Sequence, residues 1–401
     1  MPDSVCKAVE AIRPWLIETR RTIHMNPEIA YEEHETSLLV ADHLEGLGIK
    51  VMRGIAETGV VGLLQTGRQG PTIGIRADMD ALLIQEENEV PYKSRNAGKM
   101  HACGHDAHTA MLLGVARTLV ENSHLLEDVG GNVKFIFQPA EEGKAGGRKM
   151  VEQGVLENPN VDLVIAAHVF PIIPVGCIGT RSGPARAATD KFEITLKGTG
   201  GHGAYPQFAR DPVLAAAQLI SALQGIVSRN VGPFDSAVIS VTQMNAGFAH
   251  NIIPSEARLV GTLRTVRPET RERVIERMEE TTRGIASAFG GKGDFYFIPG
   301  YPALINHAGV IKLIETSAAG ILGEEKVVVE PPNMGGEDFA YMALERPAAM
   351  FRLGAGNEEK GITHGLHSAK FDIDEDALPV GVSVLVQAVR KFLAQPLSYT
   401  A

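Results

Sequence analysis

Short apolar runs alternate with helical stretches through the first half of this chain, and that alternation narrows the fold more than any other feature. Val60–Gln65, Thr72–Ala77, Asn132–Gln138 and Val161–Ala167 have the length and composition of strands. Between them, Asp106–Glu121 carries Ala110, Leu113 and Val120 among its apolar helical positions. In Asn132–Gln138, residues Val133, Phe135 and Phe137 alternate onto one face. Val161–Ala167 is almost continuously apolar, which suits a strand buried on both faces. Strand and helix in turn predict an α/β fold with a mostly parallel sheet. Two helices precede it. One is Val5–His24, where Pro14 marks a kink or a fresh start; the other is Glu32–Leu47, closed by Gly48.

The pattern changes at Ser182-Gly183-Pro184. From Thr189 to about Tyr301 the order is strand, helix, strand, strand, helix, strand, the split βαβ arrangement of ferredoxin-like α+β domains. After Pro302 helix and strand return, ending in a helix over Leu378–Leu393. A chain of 401 residues exceeds one ordinary domain. The expected organisation is a first domain built from residues 1–183 and 300–401, interrupted by an inserted domain at 184–299.

Composition excludes several classes of partner. The net charge is −10 with no long basic run, so neither nucleic acid nor an anionic membrane is expected as a partner. No stretch of 18 apolar residues is present, and the start, Met1-Pro2-Asp3-Ser4-Val5-Cys6, lacks the basic and apolar regions of a signal peptide. Cys6, Cys103 and Cys177 cannot complete a disulfide framework, which fits a reducing cytoplasm.

The chemistry gathers where strands end. Thr72–Ala77 runs into Asp78 and Asp80, Asn132–Gln138 into Glu141 and Glu142, and Val161–Ala167 into His168. Parallel sheets bind ligands at the carboxyl ends of their strands. Ahead of the Asp106–Glu121 helix stands His101-Ala102-Cys103-Gly104-His105-Asp106-Ala107-His108, rich in the sulfur, nitrogen and oxygen donors that hold zinc and its neighbours. A polar turn around a buried cysteine is the plainer alternative. Paired acids usually open a solvated helix; after an apolar strand, one can bind metal while the other serves as a base. His168 and His367, each unremarkable alone, complete the donor set.

With these residues the chain resembles the amidohydrolase branch of the dinuclear-metal aminoacylase and carboxypeptidase family. That branch includes hippurate hydrolase, hydrolases of auxin–amino acid conjugates and N-acyl-amino-acid deacylases. The resemblance rests on Arg76-Ala77-Asp78-Met79-Asp80, Cys103-Gly104-His105-Asp106-Ala107-His108, Gln138-Pro139-Ala140-Glu141-Glu142-Gly143, Gly200-Gly201-His202-Gly203-Ala204, Asn251-Ile252-Ile253-Pro254, Met334-Gly335-Gly336-Glu337-Asp338-Phe339 and Leu366-His367-Ser368, in family order. Two stretches depart from the common pattern. Lys144-Ala145 interrupts a glycine run, and Gln207 stands where many bacterial relatives have histidine.

The resemblance implies two divalent metal ions per chain, drawn from manganese, zinc, cobalt or nickel. It implies ligands Cys103, His105, Glu142, His168 and His367, with Glu141 as the general base. Asp78 and Asp80 would support the ligands from behind. The inserted domain would be a lid and dimerisation domain. Its His202 and Asn251 would contact substrate, with His202 also stabilising the oxyanion. Arg264 would meet the substrate carboxylate; the alternative is an exposed strand residue. The implied reaction splits an N-acyl amino acid into a carboxylic acid and a free amino acid, in a homodimer or homotetramer. Two alternatives stay open: a dipeptidase or carboxypeptidase on the same fold, and a metal-binding protein without catalysis.

Overall fold

The computed structural model describes residues 2–400. In chain order its main elements are α1 (Pro2–Ala11), α2 (Arg13–Met25), α3 (His34–Gly46), β1 (Lys50–Ile55), β2 (Gly59–Gln65), β3 (Thr72–Asp78), α4 (His105–Glu121), β4 (Asn132–Gln138), β5 (Leu163–Pro174) and β6 (Ile178–Thr180). There follow β7 (Ala188–Lys197), β8 (Gly201–His202), α5 (Pro212–Asn230), β9 (Ala237–Ala246), β10 (Ile252–Ile253), β11 (Glu256–Thr265), α6 (Pro268–Ala288) and β12 (Lys292–Tyr301). The chain closes with α7 (Ala308–Leu322), β13 (Val327–Val329), β14 (Ala348–Gly356) and α8 (Ala377–Ala394). These elements fall into two compact units. One takes the N-terminal part up to Gly183, Ile305–Pro331 and the part from Tyr341 onward; the other takes Pro184–Leu304 and Pro332–Ala340.

The first unit holds an eight-stranded sheet in the order β1-β2-β4-β3-β5-β14-β6-β13. Four neighbouring pairs are parallel and three antiparallel, the latter β1–β2, β2–β4 and β6–β14. Every residue of β3 is buried, as expected of a strand inside a mostly parallel sheet. One continuous core joins α1, α2, α4, α7 and α8 to the strands. Pro14 sits in the first turn of α2, where its missing N–H costs nothing, so the N-terminal helical pattern is two helices. Helix α8 is not a stretch of 18 apolar residues, since it carries Ser383, Gln387, Arg390 and Lys391. That helix is long and apolar enough to cross a membrane by length and composition, and 72% of it is buried inside the unit.

The second unit has a four-stranded antiparallel sheet in the order β9-β11-β7-β12, the ferredoxin-like order. Burial alternates along β7, where Phe192, Ile194 and Leu196 face a core shared with Leu219 and Leu223 of α5 and Met278 of α6. Asp211 begins α5 by accepting the Val213 N–H at 2.8 Å, with Pro212 next in line. A two-stranded ribbon, β8 with β10, extends beyond the Lys197–Glu256 end of the β7–β11 ladder.

Candidate metal centre

Three parallel strands set the floor of the site. Their register places Asp78 of β3 opposite Gln138 of β4, and the Arg76–Ala166 pair puts His168 of β5 level with Asp78. His168 does not end its strand, as the sequence suggested: β5 continues to Pro174 because β14 pairs with it there. Immediately after β4 the chain turns through Ala140 at φ +57° and presents Glu141 and Glu142. Asp80 fixes that turn, its two carboxylate oxygens accepting the N–H groups of Glu141 at 3.0 Å and Glu142 at 2.9 Å. Glu33, fully buried, accepts the Ala140 N–H at 2.9 Å and is bonded to the Thr58 hydroxyl at 2.6 Å.

Gly104 brings the cysteine and histidine of the next segment to the same place. It adopts φ +90° at the cap of α4, and a Cβ there would stand 2.2 Å from Val169 Cγ2, so only glycine fits. Cys103, His105 and His168 then offer ligand atoms that lie within 4.8 Å of one another, as do Cys103, Glu142 and His367, and also His105, Glu141 and Glu142. Cys103, His105 and Glu142 each belong to two of these groups. His367 comes from far along the chain, held by its own N–H donating to the Ala102 carbonyl at 2.7 Å. It sits at φ +63°, a strained backbone for histidine, of the kind found at functional sites.

The hydrogen bonds separate donors available to a metal from donors already engaged. His105 Nδ1 donates to the Asp80 carbonyl at 2.8 Å, while its Nε2 is buried without a hydrogen-bond partner, 3.6 Å from Asp78 Oδ2. That is the arrangement of an oriented imidazole ligand. His168 Nδ1 likewise donates to the Val169 carbonyl at 2.8 Å, and its Nε2 is hydrogen-bonded to the Cys103 sulfur at 3.6 Å, so it faces another candidate ligand. His108 differs. Its Nδ1 donates to Asp78 at 2.5 Å and its Nε2 accepts the Val169 N–H at 2.9 Å, so neither nitrogen is left for a metal, although Asp78, His105 and His108 also cluster. Asp78 is engaged too, by His108 and by Arg76 at 2.7 Å.

Charges follow from this packing. Burial would raise the Asp78 carboxyl, but Arg76, His105 and His108 outweigh it and hold it well below the usual carboxylate range. Burial would likewise raise Glu142, but His367, 3.2 Å away, and His105 outweigh it and keep it ionised. Burial drives the Cys103 thiol far above its ordinary value, against the pull of His105. Burial would lower His105, but Asp78 and Cys103 outweigh it and raise it. A cation among these donors would reverse the last two, taking a thiolate and a neutral imidazole. The set of one sulfur, three imidazoles and carboxylates fits divalent transition metals.

His202, Asn251 and Arg264 lie in the second unit. The β8–β10 ribbon joins the first two, with Gly203 N–H donating to the Asn251 carbonyl at 2.8 Å. His202 Nδ1 accepts the Ala204 N–H at 3.0 Å, so in the neutral ring the proton is on Nε2. Arg264 sits at the other end of β11, opposite Thr189 and Val238, about 26 Å of strand from Glu256. It is half-buried, and burial lowers its pKa against the charge of Asp190.

The sequence reading missed His108, whose position in the histidine cluster was the available signal. It also missed Glu33 and a buried group around Arg20, which announce themselves only as charges on helical stretches.

Residues 74–391 match the model of Peptidase family M20/M25/M40. The chain is 40% identical over 377 residues to Thermostable carboxypeptidase 2 of Saccharolobus solfataricus, covering 93% of this chain and 94% of that one. It is 40% identical over 374 residues to N-acetylcysteine deacetylase of Bacillus subtilis, covering 93% and 95%. The solved structure of a dinuclear metal binding peptidase from the M20 family of Bacillus subtilis superposes with a TM-score of 0.84 at 36% identity, covering 96% and 99%. These likenesses bear out the resemblance drawn from the motifs: the chain belongs to peptidase family M20/M25/M40 and is a metal-dependent amide hydrolase.

Proposed function

We propose that the chain hydrolyses the amide bond of N-acyl amino acids, releasing a carboxylic acid and a free amino acid. The observation that carries this reading is the convergence of Cys103, His105, His168, Glu142 and His367 beside a second carboxylate, Glu141. Those five residues would hold two divalent cations. When bound, such cations acidify a water towards a pKa of about 7 and polarise a carbonyl. Glu141 takes the proton from that water as it attacks the amide carbon, then returns it to the departing amine nitrogen. Asp80 serves the same step by holding the Glu141 and Glu142 N–H groups, which fixes where both carboxylates point. Asp78 and His108 brace the ligands from behind.

In this reading the second unit is a lid and dimerisation domain. His202 donates its Nε2 proton to the oxyanion, Asn251 binds substrate beside it, and Arg264 receives the substrate carboxylate. Arg264 and the His202–Asn251 pair stand at opposite ends of β11, too far apart for one small substrate to bridge within a single chain. Both would act on one substrate only if they came from different subunits, which supports a homodimer.

The deacetylase relative favours an N-acyl amino acid as substrate; the carboxypeptidase relative supports a peptide as the second reading. The test is a panel of N-acetyl amino acids, hippurate and dipeptides offered to metal-loaded protein. Faster turnover of the acyl amino acids supports the proposal, and faster turnover of dipeptides overturns it in favour of the second reading.

A further inference from the structure

The metal-ligand segments reach the site from distant parts of the chain, and one fully buried arginine touches two of them. Arg20 of α2 has no exposed surface. Its Nε donates to Asp106 at 2.7 Å, in the first turn of α4 next to His105. Its Nη2 donates to Asp372 at 3.0 Å and its Nη1 to Glu375 at 3.4 Å, on the segment that follows His367. Both ends of this bridge have further support. His24, one turn along α2, bonds the same Asp106 oxygen at 2.7 Å, and the Tyr92 hydroxyl donates to Asp372 at 2.8 Å. A guanidinium suits the task because its planar fork carries five donors, whereas an ammonium is a compact point charge.

We propose that Arg20 is a positioning residue that holds the His367 segment against the start of α4, and so sets the affinity of the metal position formed by Cys103, Glu142 and His367. The proposal rests on the metal reading of the site given above. Of the two ligand groups that share Cys103, only this one includes a residue from beyond Arg20's bridge. The group of Cys103, His105 and His168 draws its ligands from the segment that leads into α4 and from β5, and the start of α4 keeps its hydrogen bond to His24 when Arg20 is altered.

The test compares full-length wild type with Arg20→Lys, which keeps the buried charge but not the fork, and with Asp372→Asn, which weakens only the far end of the bridge. Cobalt(II) is titrated into chelator-stripped protein by calorimetry, with absorption recording the thiolate–cobalt charge-transfer band. We expect two ions in the wild type. In both variants one of the two ions should lose at least tenfold in affinity, while the other ion and its thiolate band persist. Two ions bound as tightly as in the wild type would overturn the proposal, whatever happens to thermal stability. Equal weakening of both ions would also overturn it, showing a general scaffold role. Wild-type protein that takes up no cobalt would sink the metal reading itself, a result visible before any variant is compared. Should Arg20→Lys fail to fold, Asp372→Asn carries the comparison alone.

Discussion

Replacing Gly104 with alanine perturbs the hinge between two metal-ligand candidates, and its cost can be worked from geometry. The backbone there is at φ +90°, and a Cβ would stand 2.2 Å from Val169 Cγ2 and 3.4 Å from Phe371 Cζ. A left-handed backbone costs a non-glycine residue about 1–2 kcal/mol. Forcing a methyl group into a packed core costs about 1–3 kcal/mol more. Gly104→Ala should therefore destabilise its unit by about 2–5 kcal/mol. Gly143→Ala is the control. It has a similar φ of +83° but nothing within 4 Å of the new methyl, so it should cost only the backbone share, about 1–2 kcal/mol. Urea unfolding in chelator removes the stabilisation that bound metal would add. The chain's single tryptophan, Trp15, is a suitable reporter, since Arg117 of α4 lies 4.7 Å over its ring. A Gly104→Ala protein within about 0.5 kcal/mol of wild type would refute the argument that glycine is required there.

Further predictions concern the reaction and the charges around it. Glu141→Gln should retain its metal ions and lose about 10²–10⁴-fold in kcat; loss of metal with the rate preserved would show that Glu141 and Glu142 have exchanged roles. His202→Ala should lower kcat by about 10²-fold with little change in KM and none in metal content, and near-normal turnover would remove His202 from catalysis. Glu33 tests linkage. Burial holds its carboxyl above the ordinary 4.5, with Asp80 adding to the rise against hydrogen bonds from Thr58 and Ala140. A carboxyl raised in the folded state contributes stability below the ordinary value, and that contribution is lost as pH climbs through the raised one. Wild type should therefore lose stability relative to Glu33→Gln as pH rises from about 4.5, then run parallel to it. A difference in urea midpoint that stays constant with pH would contradict this.

What could be read from the sequence depended on how local its cause was. β3 and β4 were legible because strands buried along nearly all of their length space apolar residues regularly, Ile73, Ile75 and Ala77 in one and Val133, Phe135 and Phe137 in the other. β1 was not, because it is an edge strand with four of its six residues exposed. The length of β5 was misjudged because pairing with β14, about 180 residues later, decides where it ends. At the site, Cys103, His105, Glu141 and Glu142 stood out as reactive residue types packed after strands or before a helix. The tautomer of His108 depends on the Val169 N–H, and the Arg20 bridge joins residues more than 350 positions apart. No local pattern encodes either. Arg264 was given a substrate role beside His202 and Asn251 by the resemblance, without a motif of its own; the strand register shows how far from them it lies.

Hydrolysis of N-acetyl amino acids and hippurate before and after removal of metal tests the central claim most directly. Metal content would be measured on the same samples. The account predicts up to two divalent ions per chain as purified, loss of turnover once a chelator has stripped them, and recovery when manganese, zinc, cobalt or nickel is returned. Full turnover by protein carrying no metal above background would contradict it.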